Sequence, residues 1–178
     1  MSNARKPLAA LLILIAIGAT TACGFRASQK DLPMKPTVTY LYLLRHTPFF
    51  TALNTDQLRW VIQHSREWEV QAGQSIVSSD GPGDGTGYWV LLDGSWDLEL
   101  EGQHHASGHA DPGKWFNRAL IPTGAFRLAA TEHSFVMNIS ARDMDEMLAW
   151  GFRFDHHLSS GNAFYRELST SPQVVTAP

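Results

Sequence analysis

The sequence predicts a mainly β fold, an antiparallel β-roll or jelly roll capped at both ends by short helices. Three observations support this prediction. Short runs in which apolar and polar residues alternate recur along the chain, as in half-buried strands. Glycine-rich turn sequences separate these runs. Segments with helical spacing precede and follow them.

The first elements of the predicted domain are a turn and a helix. Residues 40–44 form a short apolar turn that must end near Pro48, because proline disfavours helix in the residue before it. Asn54 or Thr55 caps the helix that follows, with Gln57 placed for a capping box. The helix then presents one apolar face, which contains Leu58, Val61, Ile62 and Ser65.

The strands follow. Trp68 and Val70 alternate with polar residues before a turn at 72–73, and residues 79–87 are dense in turn formers. A strand at 88–92 and a strand at 96–101 are predicted to form a hairpin through Asp93-Gly94. Further strands are predicted near 104–110, 114–117, 127–131 and 134–140. Helices are predicted over 141–150 and 155–168.

The N-terminus has the features of an export signal. Arg5 and Lys6 precede a ten-residue apolar run at 8–17, and small residues at 18–22 lead to Cys23, the only cysteine. A charged start, a short apolar core and a small-residue cleavage region are typical of secretory signals. The apolar run is shorter than the ~20 residues that a membrane-spanning helix needs.

The segment 20–23, Thr-Thr-Ala-Cys, resembles the lipobox of bacterial lipoproteins, although Thr20 stands where leucine is usual. The resemblance implies cleavage before Cys23, a diacylglyceryl thioether on that cysteine and an acyl chain such as palmitate on its amino group. Gly24 after the cysteine implies an outer-membrane lipoprotein facing the periplasm. The alternative is an ordinary secreted protein with a chance cysteine.

These features divide the chain into four parts: a signal peptide at 1–22, a lipidated cysteine and tether at 23–39, a β-roll domain at 40–168 and a flexible tail at 169–178. Removing the signal reduces the 14 basic residues to 12 against 17 acidic ones, a net charge of −5. This charge, and the absence of a basic run, exclude a nucleic-acid partner. With Cys23 lipidated, no disulfide is expected.

From about Leu43 to Trp150 the chain resembles the cyclic nucleotide-binding domain of catabolite activator-type regulators. The landmarks occur in family order: LRHTPFFTAL at 44–53, TDQL at 55–58, AGQSI at 72–76, DGPGD at 80–84 and WVLLDG at 89–94. The resemblance implies the family's β-roll. Only 28 residues follow Trp150 and none forms a basic recognition helix, so we do not expect a transcription factor.

The family's ligand cassette reads F-G-E-x-A-L-L, then P-R-x-A. Its glycine lets backbone approach the phosphate, its glutamate binds the ribose hydroxyl and its arginine binds the phosphate. Here Phe116 replaces the glycine, Asn117 the glutamate and Phe126 the proline, whereas Arg127 matches the arginine. The cassette positions available for ligand contact are Trp115, Asn117, Arg118, Ala119, Arg127 and Leu128. The departures argue against cyclic-nucleotide binding; retained nucleotide or phosphate binding through Arg127 is an alternative.

A second alternative is a metal site. His104, His105 and His109, with Asp111 nearby, resemble a zinc, nickel or copper ligand set. A β-roll is also the scaffold of metal-dependent cupins, but the cupin spacing of histidines and glutamate is absent. The other interpretation of this segment is a solvated hairpin loop, and we expect no other cofactor.

No catalytic motif stands out, since the chain lacks Gly-x-Ser-x-Gly and, after lipidation, a free thiol. We therefore expect no enzyme. The sequence predicts an exported lipid-anchored module that binds an unidentified small molecule or serves a structural role. Its partners are expected to be the membrane and, through the C-terminal helix, a second copy of the chain.

Overall fold

The computed structural model describes residues 38–81, 86–121 and 123–170, which belong to one compact unit, Asp31–Pro178. The predicted signal, Cys23, nearly all of the tether and the end of the tail, from residue 171, lie outside the described residues. The helices are α1 Val38–His46, α2 Thr55–Gln63, α3 Ala141–Ala149 and α4 Asp155–Thr170. The strands are β1 Ser65–Val70, β2 Ser75–Ser78, β3 Tyr88–Asp93, β4 Ser95–Leu100, β5 Gln103–Gly108, β6 Trp115–Phe116, β7 Phe126–Ala130 and β8 Ser134–Ile139.

The strands form two antiparallel sheets of four, which confirms the β-roll prediction. The first sheet has the order β1-β8-β3-β6 and the second β2-β7-β4-β5. Of the seven connections between consecutive strands, only β4/β5 stays within one sheet, so the chain crosses from sheet to sheet six times. Four of these crossovers, β1/β2, β3/β4, β5/β6 and β7/β8, share one end of the roll, which we call the crossover end. At the opposite end, which we call the mouth, β2 and β6 end and β3 and β7 begin.

The predicted hairpin through Asp93-Gly94 is wrong. Its turn exists, but β3 pairs with β6 and β8, whereas β4 pairs with β5 and β7. Gly94 has φ +89° and a Cβ there would overlap the Ser134 hydroxyl, so the turn requires glycine to pass between the sheets. The hairpin of β4 is made with β5, through Glu101 and Gly102 at φ 49° and 80°.

Two hydrophobic cores flank the first sheet. The inter-sheet core lies between the two sheets and contains the buried side chains of Val70, Leu91, Trp96, Leu98, Phe116, Ile121, Phe126, Leu128, Ala130, Val136 and Tyr165. The helix-side core lies on the other face of the first sheet. It contains Tyr40, Leu44, Phe49, Phe50, Leu53, Leu58, Val61, Val90, Leu92, Trp115, Met137, Ile139, Met144, Met147, Phe152 and Phe154. The helices therefore cover a sheet face and do not merely cap the ends of the roll.

The predicted apolar turn at 40–44 is also wrong, because it lies within α1. Tyr40 and Leu44 are one helical turn apart and fully buried. Thr47 then ends the helix, and its hydroxyl donates to the carbonyls of Leu43 and Leu92 at 3.0 and 3.1 Å. The helix is thereby bonded to β3, a contact far away in sequence.

The other helices agree with the sequence. The Asn54–Gln57 capping box of α2 is present, with Asn54 Oδ1 accepting from the Gln57 backbone at 2.9 Å and Gln57 Oε1 from the Asn54 backbone at 3.0 Å. Ser140 caps α3. Among the described residues, no helix has the length and apolar character needed to span a bilayer.

Candidate functional site

The cassette segment lies at the mouth of the roll. It leaves the first sheet with β6, makes a short 3₁₀ turn at Arg118–Leu120 and enters the second sheet with β7. Its ends therefore belong to different sheets, and its side chains divide between the inter-sheet core, the helix-side core and the outer surface.

Phe116 occupies the space between the sheets. Its side chain is fully buried, with ring centroids 5.5 Å from Phe126 and 6.0 Å from Tyr165 of α4. At the position where the family resemblance calls for a glycine, an aromatic ring thus packs against two others. A phosphate approaching this backbone would have to displace part of the core.

The polar groups of the 3₁₀ turn are engaged locally. Asn117 Oδ1 accepts from the Ala119 backbone at 2.9 Å, as an N-cap does. Arg118 Nη1 donates to the Ile121 carbonyl at 3.0 Å, and the guanidinium carbon lies 5.0 Å from the centre of the Phe126 ring. Asn117, Arg118 and Ala119 therefore each have a contact that stabilises the turn itself.

Arg127 lies on the opposite face of β7 from its neighbours. Phe126 and Leu128 point into the inter-sheet core, whereas Arg127 is exposed and donates from Nη2 to the Gly73 carbonyl at 2.9 Å. Successive side chains of a strand alternate between faces, so Arg127 is on the outside of the roll. The structure does not bring its guanidinium to the inner side of the cassette.

The remaining cassette residues belong to the cores. Trp115 faces the helix-side core, and its indole Nε1 donates to the His157 carbonyl of α4 at 2.8 Å. Tyr165 of α4 donates its hydroxyl to the Trp115 carbonyl at 2.7 Å. Leu128 is fully buried. The cassette thus serves as the docking surface for α4.

The proposed metal ligands are not assembled. His104 and His105 are neighbours on β5 and so point to opposite faces, while His109 lies beyond the strand, 3.6 Å from Asp93. His104 Nδ1 instead bonds Asp97 Oδ2 at 2.5 Å, a contact that raises the pKa of His104. In the part of the chain that the structure describes, no three His, Cys, Asp or Glu side chains are grouped to hold a metal ion. The structure does not bring the three histidines together as one ligand set, and metal binding by them stays a prediction.

Sequence reasoning missed a polar cleft of about 380 Å³ at the crossover end. Its lining comes from three crossovers and includes Asp93, His109, Asp111, Glu132 and His133. His133 Nε2 is bonded to Glu69 at 2.5 Å. Only His109 and Asp111 had been singled out, because their companions lie far away in sequence.

No protein-family model matches the chain, and no curated protein matches it in sequence. Solved structures match in fold. One, of PKAR CBD2 bound to Sp-2Cl-cAMPS, has a TM-score of 0.53 at 14% identity and covers 76% of this chain and 92% of that one. The sensor domain of the transcriptional regulator DNR from Pseudomonas aeruginosa has a TM-score of 0.51 at 16% identity, over 74% and 99%.

A third similar structure is the regulatory subunit of a cAMP-independent protein kinase A from Trypanosoma cruzi, bound to guanosine. Its TM-score is 0.51 at 14% identity, over 74% of this chain and 50% of that one. Identities this low show the fold alone. Together with the two sheets, their crossovers and the flanking helices, these matches establish that the chain has the β-roll fold of cyclic nucleotide-binding domains.

Proposed function

We propose that this chain is an exported, lipid-anchored and non-catalytic binding module whose roll does not hold a cyclic nucleotide through the cassette. The observation that carries the proposal is the fully buried ring of Phe116 between Phe126 and Tyr165. It occupies the position where the resemblance requires bare backbone, and backbone amides at a helical turn are what a phosphate binds.

The charges support the same conclusion. The inner side of the cassette carries no carboxylate for a ribose hydroxyl, because Asn117 is neutral and caps its own turn. The cation that would pair with the phosphate, Arg127, lies on the outer face. An anion taken into the inter-sheet core without a cation would lose its hydration and gain little in return.

The ligands bound by the similar structures differ in charge. The PKAR domain is bound to a cyclic nucleotide analogue, whereas the Trypanosoma cruzi subunit is bound to guanosine, which has no phosphate. The same fold therefore accepts ligands of different charge. A roll with an altered cassette is consistent with a ligand of another class.

Thermal unfolding of residues 24–178, which contain the whole described unit, tests the cassette. A ligand at a hundred times its dissociation constant adds about 2.7 kcal/mol to the free energy of unfolding. We expect no such shift with cyclic AMP or cyclic GMP. A shift that Arg127→Ala abolishes would contradict the proposal and support retained phosphate binding through Arg127.

Lipid anchoring is tested on the full chain in a bacterial host. We expect labelled palmitate in the protein and recovery in the membrane fraction, both lost in Cys23→Ala. Thr20→Leu, which completes the lipobox, is the matched control and should keep both. Labelling or membrane recovery that survives Cys23→Ala would refute the anchor.

Two further expectations belong to the same module. If α4 mediates a homodimer, sedimentation equilibrium should give twice the monomer mass; a monomer would refute it.

The metal alternative requires zinc to raise the unfolding temperature in a manner that His104→Ala and His109→Ala abolish. Our proposal predicts no such zinc effect.

A further inference from the structure

Four residues form a row across the first sheet at the mouth of the roll. Arg66 of β1 is opposite Asn138 of β8, Asn138 is opposite Trp89 of β3, and Trp89 is opposite Phe116 of β6. Directly opposite residues of antiparallel strands project to the same face, with Cβ atoms about 5 Å apart. Phe116 and Trp89 pack in the inter-sheet core, so the row is on the inner face.

The middle of this row contains two unused hydrogen-bond donors. Trp89 Nε1 and Asn138 Nδ2 are both shielded from solvent, and neither has a hydrogen-bond partner. An indole N–H can only donate, and a buried donor left unpaired destabilises the fold. The two buried tryptophans of the roll differ, because Trp96 Nε1 donates to the Gly113 carbonyl and Trp115 Nε1 to the His157 carbonyl.

The outer end of the row supplies a positive charge. Arg66 is exposed and makes no hydrogen bond or ion pair with any described residue. Glu67 and Glu69 lie one and three residues after Arg66 in β1, so their side chains project to the other face of the sheet. The row therefore holds one cation and no carboxylate.

Apolar and aromatic surface lies next to these donors. Trp68 meets Trp89 edge to face with ring centroids 5.2 Å apart. On the far side of Trp89, Phe116 closes the row. Gly87, which is buried, has φ +97° and brings bare backbone to Asn138, since a Cβ there would lie 3.3 Å from Asn138 Nδ2.

We propose that this row binds an organic monocarboxylate, with its oxygens on Arg66, Asn138 and Trp89 and its apolar body against Trp68. A guanidinium binds a carboxylate through two parallel bonds, and charge-assisted bonds are the stronger kind. One cation balances one negative charge. The inference rests on the proposed function in one respect, which is that the roll binds a ligand other than a cyclic nucleotide.

The indole N–H signals of the six tryptophans, in a proton–nitrogen correlation spectrum of residues 24–178, test the site directly. Trp89→Phe identifies the Trp89 signal. Titration with acetate and with benzoate is expected to move that signal downfield as Nε1 gains an acceptor. The Trp96 and Trp115 signals should stay, because these indoles are already bonded, and they also report that the fold is intact. Neutral benzamide should have no comparable effect.

The charge requirement is tested with matched arginine variants. Arg66→Ala should weaken the benzoate titration at least about tenfold, as expected for a lost bond to a charged group. Arg59→Ala, which removes an exposed arginine of α2 paired with Asp56, should leave it unchanged. Equal effects of the two variants, or a Trp89 signal that neither carboxylate moves, would overturn the site.

Cyclic AMP separates this inference from the proposed function. If cyclic AMP moves the Trp89 signal and the carboxylates do not, the row binds a phosphodiester, and both proposals are wrong. Cyclic AMP could instead raise the unfolding temperature without moving the Trp89 signal, in a manner that Arg127→Ala abolishes. That result would refute the proposed function, and the carboxylate titration alone would then test the row.

Discussion

At the scale of single residues, Glu67 is the least expected side chain of the roll. The alternation in β1 predicts it on a wet face, but only 7% of it is exposed, because that face of the first sheet is covered by helices. Burial raises the pKa of the Glu67 carboxyl. The Tyr40 hydroxyl of α1 is buried nearby without a well-formed hydrogen bond, and burial together with the Glu67 charge raises its pKa too.

We predict that Glu67→Gln stabilises the domain near pH 7. The folded state holds the Glu67 proton to higher pH than the unfolded chain, whose carboxyl titrates near 4.5. The contribution of Glu67 to the free energy of unfolding therefore falls as the pH rises above that value. Glu67→Gln has no carboxyl to ionise, so its free energy of unfolding should exceed that of the unaltered chain at pH 7. The difference should vanish towards pH 4. Urea unfolding at several pH values measures it.

Glu132→Gln is the matched control for this prediction, because Glu132 is exposed and lies in the turn between β7 and β8. Its free energy of unfolding should follow that of the unaltered chain across the same pH range. A Glu67→Gln variant that is less stable than the unaltered chain at pH 7 would show that the ionised carboxylate is a stabilising partner of Tyr40.

At the scale of elements, local patterns could be predicted from sequence and long-range pairings could not. The capping box of α2 and the alternation of Trp96 and Leu98 in β4 are encoded within a few residues, and both are confirmed. Whether β4 pairs with β3 or with β7 is decided by residues far away, and here the prediction was wrong. The apolar turn at 40–44 was wrong for a similar reason, since α1 depends on the sheet that it covers.

The candidate sites follow the same division. The sequence itself shows that Phe116 and Asn117 replace the glycine and the glutamate of the family cassette. It therefore already argued against phosphate binding by the cassette. The outward direction of Arg127 was not predicted, because a shift of one residue in strand register turns a side chain to the other face. The row from Arg66 to Phe116 joins four strands that the sequence does not align.

The docking of α4 on Trp115 gives an element-scale prediction. Gly161 is buried against the indole, and a Cβ there would lie 2.8 Å from Trp115 Cζ2 and closer still to Nε1. Although alanine favours a helix by about 1 kcal/mol over glycine, we expect Gly161→Ala to destabilise the domain by about 1–3 kcal/mol, as overpacking does. Urea unfolding measures the loss.

Ser159→Ala serves as the comparison, since Ser159 is exposed on the same helix and its hydroxyl donates only to the His156 carbonyl. It should change the free energy of unfolding by less than about 0.5 kcal/mol. If Gly161→Ala were equally harmless, α4 would not lie against Trp115 as described.

At the scale of the whole molecule, α4 connects the two hydrophobic cores. Phe154, immediately before the helix, belongs to the helix-side core, and Tyr165 within it belongs to the inter-sheet core. The first sheet is shared by both cores as well. Loss of packing in one core should therefore destabilise the other, and the domain is expected to unfold as one unit.

A chain shortened to residues 24–154 tests this coupling, because it lacks α4 and so exposes Trp115 and Phe116 together. We expect the shortened chain to lose its single cooperative thermal transition, followed by near-ultraviolet circular dichroism. Tyr165→Phe is the graded counterpart: it removes the bond to the Trp115 carbonyl and should cost about 1 kcal/mol, or about 2–4 °C in a domain of this size. If the shortened chain kept the midpoint of the longer one, the roll would be stable without α4, and the cassette would have to be stabilised by the two sheets alone.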